Sequence, residues 1–175
     1  MEKSIFAASY FSGMFNPFSI TYKSLLNIPV KSPSDFDSVE FLKPILPSVN
    51  GVGLADANAK LYGEFASAGP TLNLKPETME ELKSCPAPPS RSKIDRVMRQ
   101  ETKYSLGFIK PFKSFPFASP QAFGTSGAGG SFGFAEPIHK LGYAYTPHRL
   151  GVKPWNDPRD EALRTAVFLC LSKLI

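Results

Sequence analysis

Phe123-Gly-Thr-Ser-Gly-Ala-Gly-Gly-Ser-Phe-Gly-Phe134 is the stretch on which the reading of this chain turns. Glycines at this density between apolar flanks imply close approach of another backbone or positive φ angles. Ala122 to Ser126 and Ser131 to Ala135 read as extended segments, and Leu141 to Thr146 as another. Glu136-Pro-Ile-His-Lys140 turns the last two into a hairpin. Amide N–H groups exposed in such a strand and turn can hold an oxyanion. A glycine-rich connection that lets a helix or loop lie close to a sheet explains the same composition, and composition alone favours it.

Other readings of the stretch fail on residue type. A phosphate-binding loop would end in Lys-Ser/Thr, which is absent. A dinucleotide fingerprint beginning at Gly127 meets Phe132 where its third glycine belongs. Gly124-Thr-Ser126-Gly-Ala128 is one residue short of a nucleophile elbow, and the segment after it reads as a strand where an elbow needs a helix. His139 and His148 are the two histidines available as a base for Ser126, and each reads better as a solvated polar residue.

Upstream, Tyr104 to Ile109 reads as one more strand. Before it, Leu54, Ala57, Leu61, Phe65 and Ala68 recur at helical intervals over residues 54–68, and Gly69-Pro70 stops them. A second helix runs from Pro76 to Ser84, with Pro76 at its first position and Lys83 in its last turn. Residues 85–93 read as an exposed loop and residues 1–50 as irregular, broken by repeated X-Pro steps. Short helical turns are expected near Ser34 to Leu42, with Ser34 as a cap.

Downstream, Asp157 caps a terminal helix with Pro158 at its first position. Ala162, Leu163, Ala166, Val167, Leu171 and Leu174 form its apolar stripe, expected to pack on one face of the sheet. Helices, then antiparallel strands, then a helix make the fold class α+β.

Bulk composition narrows the function. The 175 residues are 42% hydrophobic and 20% charged, enough for a packed core. The net charge of +5 comes from thinly spread Lys and Arg. Their densest run, Arg91 to Lys103, is interleaved with Asp95 and Glu101 and reads as a solvated segment, with no nucleic-acid motif beside it. Cys85 and Cys170 lie far apart, indicating neither a disulfide framework nor a zinc site, and mildly favouring a reducing compartment. No metal or cofactor is implied. Residues Met1 to Ser12 lack the features of a secretory signal. The longest apolar run, near Val167, is too short to span a bilayer.

A resemblance enters with the order of these pieces. Gly124-Thr-Ser-Gly-Ala-Gly-Gly-Ser131, then Phe132-Gly-Phe-Ala-Glu-Pro137 and Leu141-Gly-Tyr-Ala-Tyr145, resemble the third-motif strand and hairpin of the β-lactamase-related serine hydrolases and esterases. That family groups with class C β-lactamases and penicillin-binding proteins. Pro47-Ser-Val-Asn-Gly-Val-Gly-Leu54 with Ala59-Lys-Leu-Tyr-Gly63 resembles a family helix and the turn before it. Leu74-Lys-Pro-Glu-Thr78 resembles its next helix, and Ser105-Leu-Gly-Phe108 the strand before the motif. Pro147-His-Arg-Leu-Gly151 and Asp157-Pro-Arg159 resemble the loop and cap before its last helix. The resemblance is collinear from about Pro47 onward.

It implies an incomplete β-lactamase/transpeptidase-like fold: residues 1–46 irregular, 47–103 helical, 104–156 antiparallel strands, 157–175 the terminal helix. It implies acyl transfer on a small-molecule ester or amide, by a serine in a Ser-x-x-Lys motif assisted by a tyrosine. It places the pocket-lining third motif on Thr125, Ser126 and Gly127, and the oxyanion backbone donor on Ala128.

This chain departs from that pattern at two points. Thr125 stands where the family has Lys or His. The Ser-x-x-Lys helix belongs to the family's first half, so the chain is expected to lack the nucleophile, as a fragment or as a catalytically silent binding or structural module. Ser90-Arg-Ser-Lys93 has the letters of the motif but sits in a Pro-rich loop, where Lys93 stays solvated and protonated. Tyr10-Phe-Ser12 and Tyr22-Lys-Ser24 carry Tyr-x-Ser letters of equally little weight. The family's N-terminal strands pair with its last strand. Leu141 to Thr146 is therefore expected to present an unpaired edge, open to self-association.

Overall fold

Among the described residues the sheet runs from Tyr104 to Tyr145, and the glycine-rich stretch lies within it. The computed structural model describes residues 9–26, 30, 32–69, 71–87 and 92–174. The chain divides into two compact units, one drawn from residues 1–52 and 88–102, the other from 53–87 and 103–175.

The first unit is more helical than the proline count suggests. Residues 9–14 are helical, and α1 spans Ile20–Leu25. The Ser19 side chain accepts from the Tyr22 N–H and so caps α1. Thr21, fully buried, donates to the Val97 carbonyl at 2.8 Å. A 3-10 turn at Pro33–Asp37 and the short helix α2, Val39–Leu42, follow. Their caps are Ser32, with Asp35 in a reciprocal capping box, and Ser38, where the sequence suggested Ser34.

The second unit holds α3 (Ala55–Ala66), α4 (Pro76–Lys83), a five-stranded sheet and α5 (Pro158–Leu171). The strands are β1 Tyr104–Ser105, β2 Phe108–Ile109, β3 Phe123–Ser126, β4 Phe132–Glu136 and β5 Leu141–Tyr145, in spatial order β1-β2-β3-β4-β5 and all antiparallel. The expected single strand at Tyr104 to Ile109 is a tight hairpin instead. Leu106 and Gly107 both take positive φ, 49° and 83°, which a two-residue turn of this hand requires.

Directly opposed residues of an antiparallel pair share a face, so the register assigns the two faces. One carries Phe123, Thr125, Gly133, Ala135 and Gly142; the other carries Gly124, Ser126, Phe132, Phe134 and Tyr143. α3 lies on the first. A Cβ on Gly142 would fall 2.1 Å from the Gly63 nitrogen and 2.2 Å from the Ala59 carbonyl oxygen, so helix and strand meet backbone to backbone. Ala66, Met79, Leu82, Phe123 and Ala135 close the core there, with Tyr62 and Phe65 packed against them.

The second face is an aromatic layer. Phe115, Phe117, Phe132 and Phe134 have neighbouring centroids 4.9–5.4 Å apart. Phe123 and Phe134, one on each face, are both fully buried. Each such side chain contributes on the order of 2–3 kcal/mol.

α5 packs here, but by another side than expected. Its buried residues are Asp160 and Arg164, not the apolar stripe. Arg164 lies over the Phe115 and Phe132 rings and donates to the Phe117 carbonyl, while Asp160 accepts from Arg164 and from the Tyr143 hydroxyl. A paired charge wedged against aromatic faces satisfies itself there, whereas Leu163 and Leu174 remain 52% and 82% exposed. Residues of the stripe, from Leu163 to Leu171, instead line a shallow apolar groove with Tyr143, Ala144 and Tyr145. β5 forms the edge of the sheet, and among the described residues only β4 pairs with it.

Candidate functional site

β3 delivers Thr125, Ser126 and Gly127 in succession to the end of the sheet, and the chain then turns through Ala128–Gly130 into β4. The Gly127 N–H donates to the Ser131 carbonyl at 2.8 Å, closing the turn. Gly129 and Gly130 hold φ of 82° and 94°, a conformation that charges any other residue strain. Ala128 is exposed, and none of the hydrogen bonds of the described residues engages its N–H. The turn therefore leaves an exposed residue with an unengaged backbone donor on a closed, glycine-held frame.

The motif's side chains diverge. Thr125 shares the α3 face, opposite Gly133, and is exposed; Ser126 shares the face of Phe132 and is half-buried. Tyr62 of α3 lies against Gly133, where an added Cβ would fall 2.4 Å from its ring. This sets the tyrosine beside Thr125. Burial pushes the Tyr62 phenol above its ordinary value, partly offset by a hydrogen bond with the Thr125 side chain. Tyr62 thus stays a neutral phenol beside Thr125, which stands where the resembled family has Lys or His.

The expected alternatives for a base do not converge on Ser126. His139 sits in the β4–β5 turn against Phe168, at the other end of β4, with its Nδ1 buried and unpartnered. His148 is exposed in the loop after β5. Among the hydrogen bonds of the described residues, no serine hydroxyl meets a lysine or histidine nitrogen. Ser90 and Arg91 lie outside the described residues; Lys93 sits in a bend beside the isolated Ile94–Glu101 bridge. Tyr10-Phe-Ser12 and Tyr22-Lys-Ser24 fall within helical segments of the first unit, where burial raises the Tyr10 phenol. No cluster of three or more metal-ligating side chains occurs among the described residues, and no described helix is long and apolar enough to cross a membrane.

Three features around the site were not read from the sequence. Tyr62 lay inside a recognised helix, but its position over Gly133 depends on a contact between distant segments. Lys110 is 1% exposed, donating to the Leu82 carbonyl at 2.6 Å and the Gln121 carbonyl at 3.3 Å, with Nζ 5.2 Å from the Phe123 ring centroid. Burial holds its ammonium down, to about 8. Asp157, read as a helix cap, also forms a bidentate pair with Arg159 at 2.8 and 2.7 Å that holds its carboxyl at about 2.

Several solved structures are similar to this chain. A family VIII carboxylesterase is similar over 64% of this chain at 32% identity, with a TM-score of 0.55. A penicillin-binding protein homolog from Caulobacter crescentus is similar over 84% at 29% identity and a TM-score of 0.68. EstA from Arthrobacter nitroguajacolicus Rue61a is similar over 79% at 28% identity and a TM-score of 0.60. The chain spans 30%, 39% and 37% of their respective lengths. Neither a protein-family model nor a curated protein matches it.

Proposed function

We propose, taking as premise that this chain shares the fold of the β-lactamase-like serine hydrolases over the part it spans, that it forms one wall of an acyl-transfer pocket and does not itself supply the nucleophile. In this reading Thr125, Ser126 and Gly127 line the pocket for a small ester or amide. The Ala128 N–H donates to the oxygen that gains charge as the acyl carbon becomes tetrahedral. The observation that carries the reading is the Ala128 turn: Ala128 is exposed and its N–H is unengaged, while the Gly127 N–H closes the turn onto the Ser131 carbonyl.

An enzyme of this kind also needs a serine with a base one helical turn away. The described hydrogen bonds bring no lysine or histidine to a serine, and Thr125 with Tyr62 supplies hydroxyls where an ionisable group would sit. These observations favour a second reading alongside the first: a module of the same family that binds without turning over. In the first reading, a Ser-x-x-Lys helix from outside this chain completes the pocket.

Intact-mass measurement after fluorophosphonate treatment tests the proposal, with Ser126→Ala as control. The expected result is no adduct from a chain that unfolds cooperatively. A stoichiometric adduct mapped to Ser126 or Ser90 would show an activated serine within the chain and sink the proposal. No adduct from a chain that shows no unfolding transition would mean that the fold, like the chemistry, needs a segment outside this chain.

A further inference from the structure

The turn that carries Ala128 is gripped from behind by the cap of the terminal helix. Gly151 donates to the Gly129 carbonyl at 2.7 Å, joining the loop after β5 to the turn. Arg159 Nη1 donates to the Arg149 carbonyl at 2.8 Å, fixing the same loop from the helix side. Asp157, 4% exposed, stands between the two strips of backbone. A Cβ on Gly130 would fall 2.5 Å from Asp157 Oδ2, and one on Gly151 would fall 2.6 Å from the same oxygen. The carboxylate therefore touches both, and Arg159 holds it there through two hydrogen bonds.

We infer that Asp157 and Arg159 are positioning residues for the Ala128 N–H, setting its direction through the Gly129–Gly151 contact. A helix cap needs one oxygen for the N–H groups of the first turn, and Asp157 Oδ1 serves the Arg159 N–H. The second oxygen is not required for capping; it faces glycine backbone and receives Arg159 Nη2. The glycines at 130 and 151 leave room for it. The inference rests on the reading of Ala128 as the oxyanion donor, and adds what keeps that donor aimed.

Asp157→Asn separates the two roles, because asparagine caps as well as aspartate but cannot keep the bidentate ion pair. In amide hydrogen exchange on the whole chain, the Gly127 and Gly151 N–H groups should exchange about tenfold faster in the variant, the equivalent of one charge-assisted hydrogen bond. Amides in the middle of α5 should not change. Unchanged exchange at 127 and 151, or a change confined to α5, would overturn the clamp. Titration with methyl phenylphosphonate, a tetrahedral oxyanion, followed at the Ala128 amide resonance, reads the site itself. Binding by the native chain that weakens about fivefold in Asp157→Asn supports both steps, a loss of the size expected when a donor is misaimed. Equal binding by both chains removes the inference and leaves the site; no response from the native chain removes the site.

Discussion

Replacing Lys110 with methionine tests how the loop entering β3 is held. In the native chain the ammonium is buried against the last turn of α4, whose carbonyls favour a cation, yet burial still lowers its pKa from 10.5 to about 8. Holding it charged in the fold costs about 3 kcal/mol relative to water. Between those two values the unfolded chain carries a proton that the folded chain has released, so stability rises with pH. The cost is fully present below pH 8 and is relieved upward at about 1 kcal/mol per pH unit. From about pH 10 the phenols of Tyr62 and Tyr143, both raised by burial, oppose it, because the unfolded chain then loses protons that the fold retains. The window from pH 8 to 9.5 therefore isolates Lys110. Urea unfolding followed by the fluorescence of Trp155, packed on Phe112 in the same unit, is the assay. The native chain should gain stability across the window, and Lys110→Met should be flat. The variant also strips the Leu82 and Gln121 carbonyls of their donor, at about 1–3 kcal/mol each, so its stability at pH 7 is not expected to exceed the native value. A native chain that is flat from pH 8 to 9.5, or a variant with the same slope, would refute the reasoning.

Gly142→Val should push α3 off the sheet, since backbone atoms of Gly63 and Ala59 occupy the space of any side chain there; about 3 kcal/mol or more should be lost, read as a fall in melting temperature. Gly51→Ala, where nothing lies within 4 Å, is the matched control. Arg164→Leu should cost about 3–5 kcal/mol by stranding Asp160, whereas Asp160→Asn combined with Arg164→Met should recover much of that loss in urea unfolding. Equal losses in the single and double variants would show that the pair is not what holds α5 to the aromatic layer.

The sheet from Phe123 to Tyr145 was legible because its information is local: alternating apolar residues, glycines at the turn and a proline between the last strands. The cap at Asp157 was legible for the same reason. Tyr104 to Ile109 was misread as one strand because its turn uses Leu106 in a left-handed conformation, which residue type does not announce. α5 presents the side that its apolar stripe did not predict, because Arg164 found an aromatic layer and a carboxylate together, an arrangement that only tertiary contacts define. The helical segments between residues 9 and 25 were hidden by the adjoining prolines, although Ser19 was a readable cap. At the site, Thr125 to Ala128 were proposed by resemblance, because the motif that carries it is contiguous in the chain. Tyr62 and Arg159 were not, since Tyr62 meets β3 and β4, and Arg159 the loop beside the turn, from segments far away in the chain.

The seam between Gly63 and Gly142 has a mechanical consequence. Two elements separated by side chains can slide as rotamers adjust, so a push on one is partly absorbed before it reaches the other. Here no compliant layer intervenes: the α3 backbone bears directly on β5, and Tyr62 projects from the next residue onto β4. A displacement of the helix is therefore transmitted undamped to the two strands and, through Tyr62, to the rim where Thr125 stands. Stiffness at that rim is a property of two missing methyl groups more than of any bond formed there.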